Sequence, residues 1–279
     1  MPFTYLSHQA PVLAIKRRWP ARFDGTAMVM GSMAPDWAYA FRGTPIAFDA
    51  HRGWGLALFC VPAAVLAAAI LRRQAGVVFA YVPSPPEMPL RQLRVLSSRR
   101  PGLAVSAVSA LVGALTHVVW DLFTHDGSWG PEHIAGLRSH ALTALGRTLS
   151  WAGVLQWTGH VVGAAVALYL LSRILRSGEL LRWYGIDDDV DADDVADDVD
   201  DVEAGGPAVG TVRFWTITAL VSAGGAAWAA TGHPGLPGRI IRLSLGVAAG
   251  VVAASVACAG EVAPGDGPAE DRKRLQRGT

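Results

Sequence analysis

The chain has almost no cysteine and almost no lysine. Two cysteines stand in 279 residues, Cys60 and Cys258, each inside an apolar stretch, and there is no CxxC pair. A disulfide framework and a thiolate zinc site are excluded on that count, and both cysteines read as small packing residues. Two lysines face 22 arginines, a bias that says nothing about function, and charged residues make up only 17% of the chain. A secretory leader is missing too. Lys16-Arg17-Arg18 is not followed by an apolar segment with a small-residue cleavage site. The first true span is therefore expected to serve as an uncleaved anchor.

Apolar residues, at 51%, are what the chain has in quantity. Five runs approach the ~20 residues that cross a bilayer: Trp54–Leu71, Leu103–Phe123, Trp151–Leu171, Val212–Thr231 and Ile240–Gly260. Residues 25–41 are a weaker stretch, interrupted by Pro35-Asp36, and read as a re-entrant segment, a cavity-lining helix or a sixth span. The expected fold is all-α, a polytopic integral membrane helical bundle of five to six transmembrane helices. Gly246-Val-Ala-Ala-Gly250 is a GxxxG pattern that permits close helix contact.

The net charge of +1 hides a division. Eleven of the 23 acids lie in residues 187–203, so elsewhere 12 acids face 24 bases. A basic body suits anionic lipid headgroups and gives no argument for nucleic acid. The acidic run has neither the sixth-position Gly nor the twelfth-position Glu of an EF-hand, and reads as a disordered linker. The expected organisation is a membrane-embedded metal-site module over 1–175, the acidic linker over 176–211, a helical hairpin over 212–260 and a basic tail over 261–279. Thirteen basic residues fall in the loops 72–102 and 172–211 and in the tail, against two, Arg138 and Arg147, in the loops 125–150 and 232–238. The positive-inside rule then predicts a multi-pass protein of the cell membrane with a cytoplasmic C-terminus.

His117-Val-Val-Trp-Asp121-Leu-Phe-Thr-His125 places three potential ligands at four-residue intervals inside an apolar run. Each such step turns only ~40° around a helix, so His117, Asp121 and His125 are expected on one face. Ionisable groups at membrane depth are functional hypotheses by default, and imidazoles with a carboxylate suit zinc, with manganese or iron as alternatives. The blander reading is a polar stripe packed on another helix. Asp36 and His51 fall near the same expected membrane face. Taken singly, Asp36 after Pro35 reads equally as a helix N-cap, His51 as an interface marker, and His8 as a surface residue near a terminus. Ser7 is a candidate cap for a short helix from His8. His160 reads as hydrogen-bonded to a neighbouring helix, and His133, His140 and His233 read as loop residues. Arg52 is a candidate phosphate partner or an interfacial arginine.

Four boxes carry a resemblance: Met1-Pro-Phe-Thr-Tyr-Leu-Ser-His8-Gln-Ala-Pro-Val-Leu, Gly31-Ser-Met-Ala-Pro-Asp36, His51-Arg-Gly, and Gly113-Ala-Leu-Thr-His117-Val-Val-Trp-Asp121-Leu-Phe-Thr-His125. They resemble domain-of-unknown-function family 4184, a family of bacterial membrane proteins, over roughly residues 1–175. The last two spans fall outside the resemblance or match weakly. The ligand order is more distantly similar to membrane-bound metal-dependent hydrolases and to zinc-dependent phospholipase C. That similarity implies His8, Asp36, His51, His117 and Asp121 as ligands, with His125 or His140 as additions. It departs at Met1-Pro2, which offers no processed amine. It departs again after His133 and His140, where Leu137 and Ala144 stand in place of a glutamate. One or two metals fit this pattern better than three.

The function expected from these residues is metal-dependent hydrolysis, with a phosphoester in a lipid or lipid-linked substrate as target and membrane lipids as partners. Asp36 or Asp121 would ligate metal or act as base. The alternative is a non-catalytic membrane protein that handles metal ions or assists assembly. A transporter would more often show internal repeats.

Overall fold

The computed structural model describes residues 4–144, 146–186 and 208–262. The described chain is mostly helical. In order it forms α1 (Thr4–Ser7), α2 (Gln9–Arg18), α3 (Gly25–Trp37), α4 (Val61–Tyr81), α5 (Leu103–Thr124), α6 (Trp129–His133) and α7 (Ala135–Arg138). Then follow β1 (His140–Ala144), β2 (Arg147–Ser150), α8 (Trp151–Arg176), α9 (Glu179–Trp183), α10 (Ala208–Ala229) and α11 (Gly235–Ala257). Four helical segments are long and apolar enough to cross a membrane: Leu56–Tyr81, Leu103–His133, Trp151–Arg176 and Gly235–Ala257. The chain is thus a membrane protein. α10, 22 residues long, is not among these four segments.

Three local features differ in detail from expectation. The fold is not purely helical, because β1 and β2 pair antiparallel, with Thr143 opposite Thr148 and an irregularity near His140. The turn between them uses Gly146 at φ +72°, a conformation that favours glycine. The linker expected over 176–211 is helical at both described ends, because Leu180 of α9 buries its side chain and α10 starts at Ala208. The acidic run and the basic tail lie outside the described residues. Ser7, finally, closes α1 instead of capping α2.

The described residues fall into two units, each drawn from separated stretches. The first comes from Met1–Ile70, Pro101–Ile174 and Ala226–Ser244. Its core is built from small side chains, among them Ala27, Ala34, Ala64, Ala68, Ala110 and Ala114, which let helices approach closely. The α3–α5 contact is the tightest case. A Cβ on Gly31 would stand 2.1 Å from the Ala110 carbonyl oxygen, and one on Gly113 would stand 2.1 Å from that of Met28. Asp24 caps α3 by accepting from Ala27 N and ties it to α5 by accepting from Ser106 Oγ at 2.6 Å. Its own backbone N–H donates to Ser109 Oγ at 2.9 Å. From Asp24 beside Ser106 to Ser32 beside His117, α3 therefore runs parallel to α5.

In the same unit, Arg242 of α11 is buried, has no carboxylate partner among the described residues, and turns its guanidinium to backbone carbonyls. It donates to Ala40 O (2.7 Å), Arg42 O (3.0 Å), Trp228 O (3.2 Å) and Thr231 O (2.7 Å). Residues 38–42, which follow Asp36, are thereby held by the C-terminal helix pair. The second unit comes from Leu71–Arg100, Leu175–Gly225 and Leu245–Thr279. It packs Phe214, Ala254 and Cys258 against Val77 and Tyr81. There Gly246 meets Gly225 and Gly250 meets Thr218, the close approach that the GxxxG pattern predicts.

Candidate metal centre

The last two turns of α5 carry His117 and Asp121 on the face turned to α3. Asp36 arrives from the end of α3, beyond Pro35. It is not an N-cap, since that role falls to Asp24 at the other end of the helix. His51 arrives from the bend before α4, where its N–H donates to Asp49 Oδ1 at 2.9 Å and its ring stacks on Tyr39. The bend leads into one π-helical turn, Leu56–Cys60, a feature common near functional sites. His8 arrives from the start of α2, with its ring stacked on that of His117 at 3.9 Å between centroids.

Four donor atoms surround one point. His117 Nε2 lies 3.2 Å from Asp121 Oδ2 and 3.7 Å from Asp36 Oδ1. His51 Nε2 lies 3.7 Å from each of the same two oxygens. Four ligands on bonds of ~2.1 Å around a tetrahedral ion would stand ~3.4 Å apart, so the observed spacings have that size. Two triads, His8–His117–Asp121 and Asp36–His51–His117, each hold their ligand atoms within 4.8 Å. The other Asp121 oxygen, Oδ1, faces His8 Nε2 at 3.9 Å and His125 Nδ1 at 3.5 Å.

The tautomers suit metal ligation. His117 Nδ1 lies 2.7 Å from the Ser32 carbonyl oxygen, which accepts only, so Nδ1 carries a proton and Nε2 is the nitrogen that would turn a lone pair to a bound cation. His51 Nδ1 lies 3.5 Å from Asp49 Oδ1 and is directed the same way. Both Nε2 atoms are buried and have no hydrogen-bond partner among the described residues. Buried imidazole nitrogens without a partner are costly, and a cation between them and two carboxylates removes that cost. Burial, with the neighbouring His117 ring adding to it, pushes His8 from its ordinary 6.5 down to about 3. It therefore presents a neutral ring.

His125 falls partly away from this set. α5 ends at Thr124, and His125 has an extended backbone (φ −100°, ψ 132°) as the chain turns toward Gly127. It leaves the helical stripe, is half-exposed, touches only the outer oxygen of Asp121, and pairs through Nε2 with Gln156 at 2.9 Å. His140 and His133 are exposed and bonded locally, to Thr143 and Trp129. Arg52 is exposed beside Asp49. His160 differs from expectation. It is buried on α8, yet neither ring nitrogen has a hydrogen-bond partner among the described residues. It is close enough to His8 and Asp121 to interact electrostatically. Its placement in an apolar span was the available signal. Ser32, Asp49 and Gln156, which orient three of the histidines, left no signal of spacing or repetition.

The family model described as "Domain of unknown function (DUF4184)" matches residues 1–259, and the chain belongs to that family. The match runs through the last two helices and so extends past residue 175, where the resemblance of the sequence boxes stopped. The Arg242 clamp on residues 40 and 42 is a physical reason for the two parts to occur together. No match was found among curated proteins or among solved structures.

Proposed function

We propose that this protein is a membrane-bound metal-dependent hydrolase acting on phosphoester bonds of lipid or lipid-linked substrates. One observation carries the reading: two buried imidazole Nε2 atoms without hydrogen-bond partners among the described residues face two carboxylates at 3.2–3.7 Å. Asp36, His51, His117 and Asp121 would hold the ion, with His8 beside the second oxygen of Asp121. Nitrogen and carboxylate donors without thiolate suit zinc, with manganese or iron as alternatives. A bound divalent cation supplies charge neutralisation and water of lowered pKa.

The chain's own residues divide the remaining work. Ser32 and Asp49 fix the tautomers of His117 and His51. Asp121 offers Oδ2 to the donor set, leaving Oδ1 to take a proton. His125, half-exposed and held by Gln156, stands next to Oδ1 to pass that proton on. Arg52, exposed beside Asp49, would meet phosphate at the surface. The asymmetry of basic residues supports a cytoplasmic C-terminus and, with it, a centre toward the opposite membrane face. With α10 as a further span, the bundle has five crossings. α3, at 13 residues or ~20 Å, falls short of the ~30 Å hydrocarbon core by itself.

Four protein donors around one point also suit a protein that carries or senses a metal ion. Turnover separates the two readings. Detergent-purified protein is assayed with zinc or manganese on phosphomonoesters and phosphodiesters, beside Asp121→Asn, His117→Ala and the loop variant His133→Ala. The hydrolase reading expects metal-dependent turnover that survives only in His133→Ala. Bound metal without turnover on any phosphoester would replace it with metal-ion handling.

A further inference from the structure

α5 carries a second face beside its ligand stripe. Thr116, Val119, Trp120 and Phe123 recur at three- and four-residue steps and form one wall of a cavity of about 660 Å³. The opposite wall is α8, where Leu155, Val162 and Val166 lie on one face. Ser7 and His8 close the floor. The lining is apolar except at Thr116 and Thr158, whose hydroxyls donate to carbonyls of their own helices, Gly113 O and Val154 O, and at that floor, where His8 belongs to the metal centre. Val119, Phe123, Val162 and Val166 are all more than a third exposed, so the cavity is a groove open along its side. Both walls belong to segments apolar enough to cross a membrane.

Its length identifies an occupant. From Leu155 to Val166, α8 rises ~16 Å, about half of the ~30 Å hydrocarbon core and so one leaflet. His125 and Gln156, paired at 2.9 Å, mark one end, next to Asp121. We propose that this groove seats a single alkyl chain of a membrane phosphoester, entering sideways from the bilayer, with the phosphate at the His125 end beside the metal centre. The proposal rests on the hydrolase reading for its headgroup chemistry and on the groove alone for its chain. A chain leaving bilayer for groove gains little from apolar transfer. The groove therefore acts by alignment, holding the ester at the centre without extraction of the lipid.

The test uses the full chain in phosphatidylcholine nanodiscs containing a trace of phosphatidylcholine with a mid-chain diazirine. Photolabelling is mapped by mass spectrometry with and without hexadecyl phosphate as competitor. Labelling at Val119, Phe123, Val162 and Val166 should saturate and fall at least about fivefold with competitor. Labelling at Val161, equally apolar and 70% exposed on the next position of α8, should not change. Val162→Trp should abolish the competed labelling and the turnover of hexadecyl phosphate. It should leave metal content and turnover of a short water-soluble phosphoester at wild-type level, as should the matched control Val161→Trp. Labelling of the groove walls that is uncompeted, or Val162→Trp and Val161→Trp behaving alike, overturns the groove. Competed labelling without turnover of either phosphoester overturns the hydrolase reading and leaves the groove standing.

Discussion

Replacing Asp49 with alanine tests whether the imidazoles are held for metal, because Asp49 touches no donor atom facing the centre. Its Oδ1 accepts from the His51 backbone N–H at 2.9 Å and lies 3.5 Å from His51 Nδ1. Both contacts vanish in Asp49→Ala, and the His51 ring loses its fixed tautomer. Partners of this kind are worth roughly 10–100-fold in metal affinity, or about 1.4–2.8 kcal/mol. The Asp49 side chain is 57% exposed, so loss of its charge alone is screened and contributes under about 1 kcal/mol. Asp126→Ala is the matched control, since Asp126 is also exposed and accepts from Ser150 Oγ at 2.8 Å. The assay is competition of zinc against a chelator on detergent-purified protein, with metal content measured by mass spectrometry. Zinc should bind Asp49→Ala about 10–100-fold more weakly and Asp126→Ala as wild type. A dissociation constant in Asp49→Ala within about threefold of wild type, or equal weakening in both variants, would refute the reasoning.

Further outcomes follow from other contacts. Gly31→Val or Gly113→Val should cost more than the ~1–3 kcal/mol of ordinary overpacking, because each Cβ meets a backbone oxygen; melting temperature and metal content should fall together. Arg242→Met leaves the buried carbonyl of Ala40 without its donor, at about 1–3 kcal/mol, and a melting curve within about 1–2 °C of wild type would contradict the clamp. Deleting Asp187–Glu203 should leave metal stoichiometry unchanged, since such a run has little apolar surface to bury. His8 has its pKa lowered from 6.5 to about 3 by burial and by His117. The unfolded chain therefore binds the extra proton first, and metal-free stability is full above about pH 6.5 and is lost as pH falls toward about 3. Melting of the metal-free protein across that window should slope less in His8→Gln.

The helical period made the His117–Asp121 stripe legible, because ligands at i and i+4 need no knowledge of tertiary structure. The same reasoning overextended to His125, because it carried no sign that the helix stops at Thr124. Asp36 and His51 drew attention through the Pro-Asp and His-Arg-Gly boxes, not through spacing, for they reach the centre by long-range packing. That packing rests on Gly31 and Gly113, which sequence shows only as two glycines in apolar runs. Arg242 was opaque in another way. A lone arginine beside an apolar run resembles a loop charge, and its partners are carbonyl groups, which every residue possesses. His160 was misjudged because a partner was assumed for a buried imidazole, and the structure supplies none among the described residues.

The parallel contact between α3 and α5 sets an order of events during synthesis. α3 is too short to cross a bilayer, and its polar anchors are far ahead in the chain: Ser106 lies 82 residues beyond Asp24, and His117 85 beyond Ser32. At roughly 5–20 residues per second, the N-terminal segment waits ~4–16 s before α5 exists. During that interval Asp24 and Asp36 have no α5 to face. Docking is possible only once α5 has entered, and the centre can close only after the chain has also threaded α4 between them. On the metal-centre reading proposed above, metal acquisition is a late step of biogenesis, since a ribosome-bound chain that ends before His117 has no complete donor set to load.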